Sequence, residues 1–216
     1  MKLKVCGMKY EENITAVADL KPDYLGFIFY EKSPRNFEED ISELPDTIKK
    51  TGVFVDASIN FIIEKVVKFG FNAIQLHGNE SPEYCQELRN QLDGTRRPSG
   101  SRHIEVWKVF SIKDQFDFEI LKSYEGIVDY FLFDTKGKEK GGNGYTFDWR
   151  VLENYPSTTP FILSGGIGLN EIEKIKEIMK TGLPIYALDV NSKFETAPGL
   201  KNIEDLKEFK KQLFSN

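Results

Sequence analysis

Short apolar runs alternate along the chain with longer stretches of helical spacing. Eight runs stand out: residues 3–6 (LKVC), 24–29 (YLGFIF), 51–55 (TGVFV), 72–76 (NAIQL), 104–110 (IEVWKVF), 130–134 (YFLFD), 160–164 (PFILS) and 185–190 (IYALDV). Each is short and rich in β-branched or aromatic residues, as strands buried on both faces are. Between them, Ile59, Ile62, Ile63, Val66 and Val67 share one helical face, and Gly70 ends that helix. Ser81 and Pro82 open another, as N-cap and first-turn proline. Leu169, Ile172, Ile175 and Met179 mark a third, with Asn170 as its cap and Glu173 three residues on. Ile203, Leu206, Phe209 and Leu213 mark the last. Strands alternating with helices imply right-handed βαβ units and a parallel sheet. Eight units, a helix after the last strand and no glycine fingerprint after the first favour a closed (β/α)8 TIM barrel over a doubly wound sheet. No linker composition divides the 216 residues, so one α/β domain over 1–216 is expected.

Composition narrows the function classes. A formal net charge of −5 leaves no basic face for nucleic acid. The one basic run, residues 95–102, lies among Gly, Pro and Ser and reads as a solvated loop. No apolar stretch approaches the ~20 residues of a spanning helix, and the start is too charged for a signal peptide. Two cysteines, Cys6 and Cys85, form no disulfide framework, which points to a reducing, cytoplasmic setting. Two histidines far apart offer no metal-ligand spacing, so no metal is expected.

In a barrel, chemistry sits where the strands end. The exits carry Cys6-Gly7, Arg35, Asp56, Gln75 with His77, Lys108, Asp134 with a glycine-rich loop, the SGGIG stretch beginning at Ser164, and residues 188–195 (LDVNSKFE). Glycines after strand seven let backbone N–H groups approach an anion, and barrels often hold a phosphate between the last two loops. The first and sixth exits offer an acid–base pair. A thiol near positive charge has its pKa lowered toward neutrality, and an aspartate at an apolar mouth has its pKa raised. Such a pair moves protons with no cofactor. Cys6 on its own reads first as a small core residue, as most free cysteines do, and Asp134 reads equally as a cap or ion-pair partner. Cys85, mid-helix, reads as core.

Taken in order, KVCG, LGFIFYEKSPR, GVFV, IQLHGNE, FDTKG, GGNGYTFDW, LSGGI and LDVNSKFE resemble the phosphoribosylanthranilate isomerase family nearly end to end. The resemblance implies a TIM barrel of tryptophan biosynthesis that isomerises a phosphorylated aminoaldose by an Amadori rearrangement, without a cofactor. It places the general base at Cys6 and the general acid at Asp134. It assigns Arg35 to the anthranilate moiety, and Gln75 and His77 to the pocket wall, where His77 serves equally as a structural hydrogen-bonder. Gly165 and Gly166, with Asp189, Asn191 and Ser192, correspond to the phosphate loops and the pocket floor. Two departures stand out. Lys193 replaces the family's usual glycine, and its ammonium is a candidate phosphate contact. The segment 93–103 is longer than expected. A histidine-pathway aminoaldose isomerase would use two aspartates, and a non-catalytic phospholigand barrel would need neither acid nor base. Monomer and homodimer both stand, with the small-molecule substrate the only implied partner.

Overall fold

A computed structural model describes residues 1–41, 43–94, 103–113, 115–135 and 146–214. The segments 95–102 and 136–145, which hold the basic run and most of the glycine-rich loop, lie outside the described residues.

Eight parallel strands close into a barrel in chain order: β1 (Lys2–Val5), β2 (Tyr24–Phe29), β3 (Lys49–Phe54), β4 (Ala73–Leu76), β5 (Glu105–Ile112), β6 (Tyr130–Thr135), β7 (Phe161–Leu163) and β8 (Ile185–Val190). The strands fall on the eight apolar runs. Closure is made by β1 against β8, with Lys4 in register with Asp189. Because side chains alternate across a strand, Leu3 and Val5 join the large apolar layer between barrel and helices. Lys4 and Cys6 turn to the barrel axis. The interior is filled by a smaller set that includes Tyr24, Ala73, Trp107, Leu132, Ile162 and Ala187.

Five α-helices are described outside the barrel: α1 (Glu11–Asp19), α2 (Ile59–Phe69), α3 (Pro82–Asp93), α4 (Ile172–Ile178) and α5 (Ile203–Phe214). The expected signals hold for α2 and α3. Gly70 ends α2 in the left-handed conformation, and the Ser81 hydroxyl accepts from Tyr84 N. Two expected core positions are wrong: Val67 and Met179 are exposed, and Ile178 takes the inner position instead. The turn before α4 also begins earlier than the sequence suggests. Gly168 N donates to Glu171 Oε2 at 2.9 Å, so Asn170 lies inside a 3₁₀ turn rather than capping the helix.

The strict strand–helix alternation does not hold. Among the described residues, the connection from β2 to β3 has no helix, and those after β5 and β6 contain only short 3₁₀ turns (Phe118–Ser123 and Trp149–Asn154). Aromatic clusters seal the wall there. Phe29, Phe37, Phe69 and Phe71 pack together beside β2. Phe110, Phe116, Phe118 and Phe133 do the same beside β5 and β6. Large rings bury ~150–250 Å² each, so a few replace a helix as cover. A two-stranded ribbon follows β8, β9 (Glu195–Ala197) against β10 (Leu200–Lys201).

Candidate active site

The C-terminal strand ends surround one cavity lined by both polar and apolar side chains. Cys6 enters from β1, Arg35 from the loop after β2, and Gln75 and His77 from β4. Asp134 enters from β6, Gly165 and Gly166 from the loop after β7, and Asp189, Asn191 and Ser192 from β8 and its exit. The structure therefore brings together all ten residues singled out in the sequence. Two exits are not part of it. Asp56 turns toward the next loop, where its Oδ1 accepts from Asn79 N at 2.5 Å. Lys108 faces outward from the middle of β5 and forms a buried pair with Glu80 at 3.1 Å. The sequence reading places it at the strand's exit, but the apolar run continues to Phe110 and β5 to Ile112, which leaves Lys108 in mid-strand.

Local backbone explains two of the glycines. Gly7 has φ +73°, and a Cβ there would meet Asn191 Oδ1 at 2.7 Å and Arg35 Cδ at 2.8 Å. The residue after Cys6 must be small so that the second and eighth loops can close over β1. Gly165 has φ +86°, and a Cβ would sit 2.4 Å from both Thr135 N and Thr135 Oγ1 and 2.6 Å from Asp134 Oδ1. The glycine loop after β7 is thus packed directly on the Asp134 carboxyl. Lys193 needs no such freedom. Lys21 and Asp56 are the non-glycine residues with positive φ among the described residues, so Lys193 adopts an ordinary backbone in a 3₁₀ turn while lining the cavity.

Beneath Cys6 lies a lysine that sequence reasoning missed. Lys4 is fully buried. Its ammonium donates to Gln75 Oε1 at 2.6 Å and pairs with Asp189 Oδ2 at 3.0 Å. Burial alone would lower the Lys4 pKa; Asp189 and Cys6 more than offset it, and the ammonium is held on the raised side. The Asp189 carboxyl is pushed up by burial, with Lys4 opposing.

A second buried lysine, Lys201, comes from β10. It donates to Asn191 Oδ1 at 2.7 Å and to Glu195 Oε1 at 2.6 Å. Glu195 in turn grips Arg35. Arg35 Nε donates to Glu195 Oε1 and Oε2 at 2.9 and 3.0 Å, and Nη2 to Oε2 at 2.6 Å. Arg35 is therefore not a free guanidinium waiting for a ligand. It is clamped on one edge, with Nη1 uncommitted among the described residues.

Cys6 is buried with no disulfide. Burial pushes its thiol up, with Lys4 and then Lys201 pulling down and Asp189 adding to the rise. The expectation of a thiol lowered toward neutrality is reversed, because desolvation outweighs two neighbouring cations. Asp134 Oδ1 accepts from Thr135 N at 2.9 Å, and its Oδ2 lies 3.2 Å from His77 Nε2. Cys85 sits outside the cavity in α3, and burial pushes it up to about 12. It is the core residue the sequence suggests.

The family model described as N-(5'-phosphoribosyl)anthranilate (PRA) isomerase matches residues 3–212. An enzyme named N-(5'-phosphoribosyl)anthranilate isomerase from Parabacteroides distasonis is 43% identical over 220 residues, covering 99% of this chain and 93% of its own. One of the same name from Phocaeicola vulgatus is 40% identical, with 99% and 98% covered. Among solved structures, phosphoribosyl anthranilate isomerase from Thermotoga maritima superposes with a TM-score of 0.80 at 30% identity, covering 99% of this chain and 98% of that one. A phosphoribosyl anthranilate isomerase in complex with reduced 1-(o-carboxyphenylamino)-1-deoxyribulose 5-phosphate matches at 0.76 and 26% identity over the same shares. With a family model spanning nearly the whole chain and relatives at 43% and 40% identity, the chain belongs to the N-(5'-phosphoribosyl)anthranilate isomerase family.

Proposed function

We propose that the chain, as one domain, converts N-(5'-phosphoribosyl)anthranilate to 1-(2-carboxyphenylamino)-1-deoxyribulose 5-phosphate, with Asp134 as general acid and Cys6 as general base. The observation that carries this reading is that a thiol on β1 and a carboxyl on β6 line one cavity, beside a glycine loop suited to an anion.

Asp134 protonates the ribose ring oxygen. The C1–O bond breaks, the ring oxygen leaves as a hydroxyl, and the nitrogen lone pair forms a protonated Schiff base. The Cys6 thiolate then takes the proton from C2. The C–H electrons form the C1=C2 bond and neutralise the iminium nitrogen. The resulting enol-amine becomes the ketone as C1 gains a proton and the 2-hydroxyl loses one. Each proton transfer is worth ~10²–10⁴-fold in rate.

The resting thiol is held up by burial, so the base must be formed against that bias. Two cations supply the counterforce. Lys4 and Lys201 both favour the thiolate, and the cation generated by ring opening lies one carbon from the C–H bond to be broken. A neutral thiol with an ionised carboxyl and a thiolate with a protonated carboxyl hold the same number of protons. The two forms differ only in where one proton sits, and the second is the reactive one.

The substrate's two anionic ends find matching groups. The 5-phosphate is assigned to the Gly165–Gly166 loop with Asn191 and Ser192, where successive positive-φ glycines free the backbone N–H groups. The anthranilate carboxylate is assigned to the open edge of Arg35, held in place by Glu195. A guanidinium already anchored loses less side-chain freedom on binding.

The test is loss of phosphoribosylanthranilate fluorescence by wild type, Cys6→Ala and Asp134→Asn, each shown folded by circular dichroism. Turnover by wild type with losses of about 10²-fold or more in each variant is expected. Turnover surviving Cys6→Ala would return Cys6 to a core role, and an inactive folded wild type would sink the reading.

A further inference from the structure

The Gln75 side chain bridges two groups with different hydrogen-bonding rules. On one side, its Oε1 lies 2.6 Å from Lys4 Nζ. An ammonium has three donors and no acceptor, so the amide oxygen must face it. On the other side, Gln75 Nε2 lies 3.1 Å from His77 Nδ1. An amide nitrogen only donates, so Nδ1 must accept and carries no proton. A proton there would set N–H against N–H. The ring proton then sits on Nε2, the nitrogen 3.2 Å from Asp134 Oδ2. That contact is bent off the hydrogen-bond line, and Nε2 is buried with no hydrogen-bond partner among the described residues. Donors in unliganded sites often stand in this way and align only when substrate binds.

We infer that Lys4 and Gln75 act as a tautomer lock that holds His77 as an Nε2–H donor aimed at the Asp134 carboxyl. The inference rests on Asp134 as the acid. Before transfer, Thr135 N holds one carboxyl oxygen and the His77 N–H approaches the other, which fixes the plane of the group. After transfer, the carboxylate left behind is met by both donors. Lys4, fully buried, never touches substrate; it is a positioning residue that acts through Gln75 and His77. A neutral side chain at position 4 would let the amide turn over. Its oxygen would then draw the ring proton to Nδ1 and leave Nε2 with a lone pair facing the carboxylate.

The chain has two histidines, so a [15N]histidine spectrum of the intact protein shows two rings. The other ring, His103, lies at the surface 2.9 Å from Asp129 Oδ1. The His77 ring of wild type is expected with its bare nitrogen at Nδ1. Gln75→Glu, an isosteric change, puts an acceptor against Nδ1 and draws a proton onto it. In that variant kcat falls about tenfold or more while KM stays within about twofold, a part of the ~10²–10⁴-fold an acid supplies. Lys4→Met is expected to give the same spectral change. Should it fail to fold, the wild-type and Gln75→Glu spectra decide the matter. Wild-type His77 protonated on Nδ1 would overturn the lock, as would a Gln75→Glu spectrum or kcat that does not move. Full activity in Asp134→Asn would instead overturn the acid assignment, whatever the spectrum shows.

Discussion

Gly165→Ala tests how closely the glycine loop after β7 is joined to Asp134, the proposed acid. The added Cβ would lie 2.4 Å from Thr135 N, against the 3.4 Å at which ordinary contact begins, so something must move by about 1 Å. The same atom meets Asp134 Oδ1 at 2.6 Å, and a backbone amide on the other side cannot swing away as a long side chain would. A 1 Å displacement of a reacting group costs about 10²-fold in rate. Stability falls for two separate reasons. A non-glycine residue at φ +86° costs about 1–2 kcal/mol, and overpacking adds about 1–3 kcal/mol. Gly182→Ala separates these. Gly182 has φ +77°, but nothing lies within 4 Å of its missing Cβ, so it incurs the backbone cost alone. Steady-state fluorescence kinetics and thermal melts on both variants make the comparison. Gly182→Ala should keep wild-type kcat and lose about 1–2 kcal/mol. Gly165→Ala should lose about 2–5 kcal/mol and roughly 10²-fold in kcat. Equal melts for the two variants, with Gly165→Ala turning over within about twofold of wild type, would refute the crowding argument.

Other outcomes follow from the same geometry. The thiol of Cys85 is pushed up to about 12 from an ordinary value near 9.0, so the stability it lends is complete below about pH 9 and lost as pH rises through its folded value; Cys85→Ala should flatten the alkaline fall in urea midpoint between those limits. Lys201→Met removes a cation that pulls the Cys6 thiol down, and the alkaline-rising limb of kcat/KM should move to higher pH; an unmoved limb would detach Lys201 from the base. Lys108→Met leaves Glu80 buried and unpaired, costing about 3–5 kcal/mol in denaturant unfolding with kcat unchanged, because the pair lies outside the cavity. Lys193→Ala should raise KM about twofold to fivefold with kcat kept, the worth of one exposed charge on an anion; an unchanged KM would show that its ammonium does not meet the phosphate.

Strands were the most legible part of this chain. A strand covered on both faces must be apolar throughout, and all eight runs announce themselves that way. Helices were less legible where ring packing took over their task, as around Phe37 and Phe116. The residues lining the cavity could be picked out because strand exits are sequence positions. The groups that govern them could not. Lys4 reads as one more charge in KLKV until closure of the barrel sets it against Asp189, far along the chain. Glu195 is 160 residues from Arg35, and Lys201 reaches the site through a ribbon with no pattern of its own. The direction of the Cys6 shift was missed for the same reason. Nearby cations can be guessed from a motif, but the depth at which they act depends on the whole barrel.

The seam between β1 and β8 has a consequence for synthesis. The thiol at position 6 leaves the ribosome long before Asp189, Glu195 and Lys201 do. Lys4 is already beside Cys6 in β1, but the contacts that bring Asp189 and Lys201 to it span nearly the full chain. Such long-range closures form late, after loop entropy has been overcome. A nascent chain halted before the eighth strand holds Asp134, the glycine loop and Lys4, yet lacks Asp189 and Lys201. On the proposed mechanism, full competence waits for β8 and the ribbon after it, and turnover in a translation reaction times the closing of the ring.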